Sequence, residues 1–323
     1  MSRRRIGITL GDPAGIGPEV ALKALRSGQL DHRFDYEIIG DPRTKRRADA
    51  ADWVVEGARR CLAGELAALV TAPIAKELLH RAGYNFVGQT ELLAHISRTK
   101  RFAMMLVGVP SEAIEQLGWP GGPALPSHKS SPVLVGRDRR ARRRVPGHAL
   151  PQLLRVALVT THAPLRDVAD LITARKIIEV VELSNEICRR FGVKRPRIAV
   201  AGLNPHAGES GLLGDEERRI IAPAVKRAAK RGIRVSGPHS ADTLFYRAAH
   251  GEFDAVVAMY HDQGLAPFKL IAFDNGVNLT LGLPFVRTSP DHGTATDIAG
   301  KGIARPDGMI VAINMAAGLA RSR

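Results

Sequence analysis

Short apolar runs alternate along the chain with longer stretches in which apolar positions return every three or four residues. Runs at 5–10 (RIGITL), 35–40 (DYEIIG), 67–71 (AALVT), 102–107 (FAMMLV), 155–162 (RVALVTTH), 197–203 (RIAVAGL), 233–235 and 254–259 (DAVVAM) read as strands, several of them apolar on both faces. Helical spacing follows the Gly-rich turn at 11–19 and recurs at 51–64, where Trp53, Val54, Ala58, Cys61 and Leu62 carry it. It appears again at 74–82, from the Thr90-Glu91 pair through His95, at 173–191 and at 216–231, while 237–243 reads as a loop capping a further helix. Such alternation predicts an α/β fold: a mostly parallel sheet with helices on both faces and functional groups at the C-terminal ends of the strands. Between 109 and 153 the periodicity stops in a stretch of Pro, Gly, Ser and Arg, which reads as an irregular or disordered insertion. The turn at 11–19 has a spacing close to GxGxxG, but Asp12, Pro13 and Pro18 make it a structural or substrate-side turn rather than a dinucleotide phosphate loop.

Composition narrows the class. A chain of 323 residues, 45% hydrophobic, can bury the core of two ordinary domains. No apolar run approaches the ~20 residues of a membrane span, and the N-terminal arginines lead directly into a strand, so a cytoplasmic, membrane-free protein is expected. The net charge of +15 raises the question of a nucleic-acid partner, yet six arginines are concentrated between 137 and 144 and aromatic residues are only 5% of the chain. Small anionic ligands account better for the remaining cations. Cys61 and Cys188 are far apart in helical patterns, which suggests inert thiols rather than a disulfide or redox pair.

Three constellations carry chemistry. His162, His206 and His261 each follow a predicted strand; one loop histidine is commonly structural, but three at equivalent ends suit a divalent metal with open positions for substrate. Asp262 and Asp242 stand nearby as candidates for orienting a ligand or handling a proton, against plain turn and capping roles. Lys269, Asn278 and Arg287 combine an ammonium, an amide and a guanidinium suited to an acidic substrate, with Gln89 and Thr90 at a helix start as further donors. In the small-residue loop His292-Gly293-Thr294-Ala295 the backbone can approach a flat nucleotide closely.

The segments GDPAGIGPE, TAPIAK, VTTHAPL, GLNPHAGE, GPHSADT, AMYHDQGLAPFK and VNLTLGLPFVRTSPDHGTA, in this order, resemble the 4-hydroxythreonine-4-phosphate dehydrogenase family of vitamin B6 biosynthesis. HGTATDIAGKG is also similar to the nucleotide loop of isocitrate and isopropylmalate dehydrogenases. The resemblance implies a two-domain α/β/α fold of that dehydrogenase type, with one domain at 1–84 plus 300–323 and a second at 85–299. It implies NAD- or NADP-dependent oxidation of a phosphorylated 4-hydroxythreonine followed by decarboxylation, and a homodimer with a shared active site. A divalent metal (Zn, Mg, Co or Mn) would sit on His162, His206 and His261. Substrate would be held by Gln89, Thr90, Lys269, Asn278 and Arg287, and the cofactor by His292, Gly293, Thr294 and Ala295. Lys269 and Asp242 are the candidate catalytic residues. Three departures stand out: Gln89 where the family has a histidine, a shortened segment around 43–50, and the inserted 109–153. Gln89 keeps a second substrate group open, 4-phosphorylated threonate or erythronate, and the altered segments keep open a non-catalytic protein on a decayed scaffold.

Overall fold

In a computed structural model, residues 3–44, 46–47, 49–108 and 153–321 are described. The expected insertion at 109–153 lies outside them except for its last residue. Ten strands form one sheet in the order β2-β1-β3-β10-β9-β4-β5-β8-β6-β7. They are β1 (Arg4–Thr9), β2 (Phe34–Ile39), β3 (Ala68–Thr71), β4 (Ala103–Gly108), β5 (Leu154–Leu158), β6 (Ile198–Ala201), β7 (Val235–His239), β8 (Ala255–Ala258), β9 (Val277–Leu281) and β10 (Val286–Pro290). β3, β4, β6 and β8 are buried at every position, as strands covered by helices on both faces must be, which is why they read as unbroken apolar runs.

The helices are α1 (Gly17–Arg26), α2 (Asp49–Leu62), α3 (Lys76–Arg81), α4 (Gln89–Ile96), α5 (Val168–Leu171), α6 (Ala174–Arg190), α7 (Ala222–Lys230), α8 (Ala241–Ala249), α9 (His261–Ala272) and α10 (Asp307–Arg321). The last is buried at twelve positions, with no polar face, because it packs along β10, β3 and β9 in the middle of the molecule. No helix among the described residues is long and apolar enough to cross a membrane.

The pairings are parallel from β2 to β10 and again from β5 to β7. At the centre β10, β9, β4 and β5 pair antiparallel, so the expected mostly parallel sheet changes direction at its middle. The β9–β10 hairpin comes late in the chain yet joins β3 on one side and β4 on the other, so it is flanked by two strands from the first third of the sequence. Gly282 in that hairpin has φ +86°, and a Cβ there would stand 2.1 Å from the Arg101 carbonyl oxygen.

The short strand expected at 233–235 is in fact Val235–His239, so Gly237 and Pro238 are strand residues rather than loop. Their position on the outermost strand explains it, since an edge tolerates the missing N–H of proline. The helix expected over 216–231 begins instead as a π-helical turn, Glu217–Ile221. In the turn at 11–19, Asp12 is fully buried, accepts the Ala14 N–H at 2.9 Å and pairs with Arg47 at 2.6 Å. That arginine belongs to the shortened segment, and the contact makes Asp12 a structural residue.

Candidate active site

A cleft of about 510 Å³ opens over the middle of the sheet, between the starts of α3 and α4, the hairpin β9–β10, the helix α9 and the loop that follows β10. Its walls bring together Gln89, Thr90, His162, His261, Lys269, Asn278, Arg287, His292, Gly293 and Thr294. His206, Asp242 and Ala295 do not line it.

Arg287 lies at the cleft floor. Strand β10 points its side chain between β3 and β9, where the guanidinium donates to Thr71 Oγ1 (2.6 Å from Nη2, 3.1 Å from Nε) and to Thr280 Oγ1 (3.1 Å). Nη2 also reaches Gln89 Oε1 at 3.5 Å. All of these acceptors are uncharged, and the residue is only 3% exposed. Burial lowers its pKa to about 10, the nearby Glu91 charge opposing, so the group is still a cation at neutral pH. A buried cation whose hydrogen-bond partners carry no charge is a site for an anion.

Gln89 donates to the Ala72 carbonyl at 3.1 Å and so bridges the turn after β3 to the arginine. The cap of α4 is Gly88, which has no side chain to bond the first amides. Glu91, three residues on, would serve in a capping box if a Ser or Thr stood at 88; here its Oε2 is instead buried without a hydrogen-bond partner. Asn278 Oδ1 and His292 Nε2 are orphaned in the same way. Unpartnered polar atoms on three residues that line the cleft mark the places where a ligand's hydrogen bonds belong.

Lys269 projects from α9 and forms an ion pair with Asp291 Oδ2 at 2.8 Å while also donating to the Asp291 carbonyl. Burial raises the Asp291 carboxyl above its usual range, with Lys269 opposing. Asp291 was missed in the sequence because it reads as a turn residue after a strand. Lys76 and Glu91 were missed too; their only signal is membership of TAPIAK and QTE.

His162 and His261 face one another with ring centroids 5.7 Å apart. Burial, then the Lys76 charge, lowers the His162 pKa, which keeps its imidazole neutral near pH 7 as a metal ligand must be. His261 Nδ1 lies 2.7 Å from Asp262 Oδ1, a carboxylate placed to orient the ring. Two such imidazoles fit a divalent metal, although no group of three His, Cys, Asp or Glu among the described residues is placed to hold one. His206 stands elsewhere, exposed, with Nδ1 4.0 Å from Asp242 Oδ2. Asp242 is exposed as well, and the Ser240 hydroxyl first of all lowers its pKa.

His206 belongs to an unusual turn, Pro205–Gly211, in which five successive residues have positive φ: His206 +50°, Ala207 +52°, Gly208 +79°, Glu209 +42° and Ser210 +58°. Each of the four non-glycine residues costs ~1–2 kcal/mol in that conformation. Nothing in the residue types of PHAGES announces it.

The loop after β10 docks on the turn before α1. Ile16 N–H donates to the Thr294 carbonyl at 2.8 Å, and a Cβ on Gly15 would meet that same oxygen at 2.8 Å. His292 Nδ1 bonds the Gly293 carbonyl at 3.0 Å and burial lowers its pKa, while the space beside Gly293 is open. A small-residue loop with open space and an orphaned ring nitrogen fits a nicotinamide nucleotide.

The chain is similar to known proteins over nearly its whole length. The family model described as pyridoxal phosphate biosynthetic protein PdxA matches residues 19–316. A 4-hydroxythreonine-4-phosphate dehydrogenase of Geobacter metallireducens is 38% identical, covering 99% of this chain and 96% of its own. A D-threonate 4-phosphate dehydrogenase of Pectobacterium atrosepticum is 36% identical, covering 98% and 99%. The crystal structure of 4-hydroxythreonine-4-phosphate dehydrogenase from Klebsiella pneumoniae superposes with a TM-score of 0.73 at 36% identity, covering 99% and 100%. Isocitrate dehydrogenase from Methylococcus capsulatus, at 13% identity and TM-score 0.51, covers 98% of this chain and 84% of its own, and shares the fold alone. With a family match over most of its length and relatives well above 30% identity across nearly whole chains, this protein belongs to the PdxA family.

Proposed function

We propose that this chain is a divalent-metal-dependent NAD(P) dehydrogenase that oxidises the secondary alcohol of 4-phosphohydroxy-L-threonine, with loss of carbon dioxide from the resulting β-keto acid, in pyridoxal phosphate biosynthesis. The observation that carries it is Arg287, a buried cation with only neutral hydrogen-bond partners, at the floor of a cleft that also holds a histidine pair and a nucleotide-type loop. The name of the Geobacter metallireducens relative supports the same substrate.

Arg287, Thr90 and the first amides of α4 grip the substrate's phosphate, combining a bidentate cation with a helix start. Asn278 Oδ1 and Glu91 Oε2 accept from its hydroxyl groups. Lys269 faces the reacting carbons: as its ammonium passes a proton to the paired Asp291 carboxylate it takes the proton that leaves the hydroxyl, and it later gives that proton to carbon. His292, Gly293, Thr294 and Ala295 bind the cofactor against Gly15 and Ile16. His162 and His261, with His206 from a second copy of the chain, would hold the metal; Asp242 would then reach the chemistry from that same copy. When bound, the metal polarises the substrate's oxygen atoms and the nicotinamide takes the hydride. A homodimer follows from this arrangement, with the units 1–84 plus 300–323 and 85–299 as the lobes of each cleft.

A second reading has a specific observation behind it. Gln89 bonds Arg287 and the Ala72 carbonyl but cannot carry a proton near neutral pH, and this favours 4-phosphorylated threonate or erythronate as substrate. Purified protein, with and without added Zn, Mg, Co or Mn, is assayed for NAD and NADP reduction against 4-phosphohydroxythreonine, 4-phosphothreonate and 4-phosphoerythronate. Metal-dependent turnover of the first, abolished by His206→Ala, is expected. Preference for the others selects the second reading, and no turnover of any leaves a binding protein on this scaffold.

A further inference from the structure

The turn that carries His206 is held by one buried carboxylate. Glu217, 5% exposed, accepts the backbone N–H groups of Leu203 and Asn204 on Oε1, both at 2.7 Å, and the Asn204 side-chain amide on Oε2 at 2.9 Å. Those residues lead directly into the left-handed turn. Its middle residue, Gly208, has no Cβ, and one placed there would stand 2.6 Å from Glu217 Oε2. Gly202 is equally constrained, since a Cβ would meet the Ala207 Cα at 2.9 Å and Glu217 Oε1 at 3.1 Å. Glu217 itself opens the π-helical turn, an insertion that interrupts regular helix and recurs at functional sites. Four non-glycine residues remain left-handed only where surrounding contacts over-determine them, and such strain gathers where a side chain must be aimed. The side chain aimed here is His206, beside Asp242.

We infer that Glu217 is the positioning residue for His206: its carboxylate locks the Pro205–Gly211 turn in the left-handed state that presents the imidazole to the metal, a role that rests on the metal-dependent reading above. A carboxylate is required because all three bonds come from donors. An amide offers one acceptor oxygen, and its NH2 group would face either the Asn204 side chain or the backbone N–H pair, donor against donor.

The test compares wild-type protein with Glu217→Gln and Gly208→Ala, the second pushing a methyl group against the intact carboxylate. Each full chain is titrated with Co2+ and read by affinity, by the visible absorption of the bound ion, by kcat and KM, and by thermal unfolding. Expected in both variants is a loss of Co2+ affinity of roughly 10- to 100-fold, a changed absorption spectrum and a lower kcat. KM for the nicotinamide stays unchanged, because its loop docks on Ile16 rather than on this turn. Variants that fold and bind Co2+ with wild-type affinity and spectrum overturn the assignment, whatever their Tm. Failure of both to fold makes Glu217 a stabilising residue only and overturns it as well. Wild-type protein that binds no Co2+ and shows no metal-dependent turnover instead brings down the functional reading, and the role of Glu217 with it.

Discussion

Arg287 shows how one residue converts folding cost into affinity. Burial lowers its pKa to about 10, a desolvation cost that its neutral hydrogen-bond partners only partly offset. An anion in the cleft offsets that cost. Inorganic phosphate or sulfate therefore raises the Tm of the wild-type protein, by about 2.7 kcal/mol of stability at a hundredfold excess over Kd. Arg287→Met loses that response, and its Tm without anion is equal to or above the wild-type value, because a hydrophobic side chain of similar volume removes a buried charge bonded only to neutral groups. Differential scanning calorimetry with and without phosphate decides it; an undiminished phosphate response in the variant would place the anion elsewhere. The sequence marks Arg287 as an anion ligand, but only the fold shows that every group bonded to it, Thr71, Thr280 and Gln89, is neutral.

At the scale of elements, the turn at 11–19 is a support for the loop that follows β10. The two lie far apart in the chain, yet Ile16 N–H and the Thr294 carbonyl bond at 2.8 Å, and Gly15 allows that approach. Gly15→Ala pushes the loop away, so KM for the nicotinamide rises several-fold while the phosphate affinity of the Arg287 site is unchanged. Steady-state kinetics and phosphate titration separate the two, and an unaltered cofactor KM would show that the loop adjusts freely. The prolines and Asp12 mark the turn as structural or substrate-side, but nothing local names the loop it supports. The strand Val235–His239 makes the complementary point: Gly and Pro read as loop, and a position at the sheet edge made them strand.

For the whole molecule, the question is why His162 and His261 meet at 5.7 Å while His206 stands exposed beside Asp242. On the metal-dependent reading, a histidine pair and a third histidine set apart from it suit a two-fold pair, in which each copy completes the other's site. Mixing inactive His206→Ala and His261→Ala proteins, with dissociation and reassociation, then restores about one quarter of wild-type activity, since half of the dimers are hybrids with one intact site. If each site lies within one chain, the mixture stays inactive, because every chain then lacks a ligand.

By itself the sequence determined the α/β class, the strands buried on both faces, the family and ten of the residues that line the cleft, because apolar periodicity and motif chemistry are local properties of the chain. What only the tertiary structure decided was which of those residues meet. The late hairpin β9–β10 enters the middle of the sheet, beside β3 and β4, and so places Asn278 and Arg287 opposite Gln89. The reversal of strand direction there, the orphaned atoms of Glu91, Asn278 and His292, and the left-handed turn under His206 all depend on contacts between segments distant in sequence. Residue types and spacings cannot encode such contacts singly, because each is set by what the rest of the chain brings alongside.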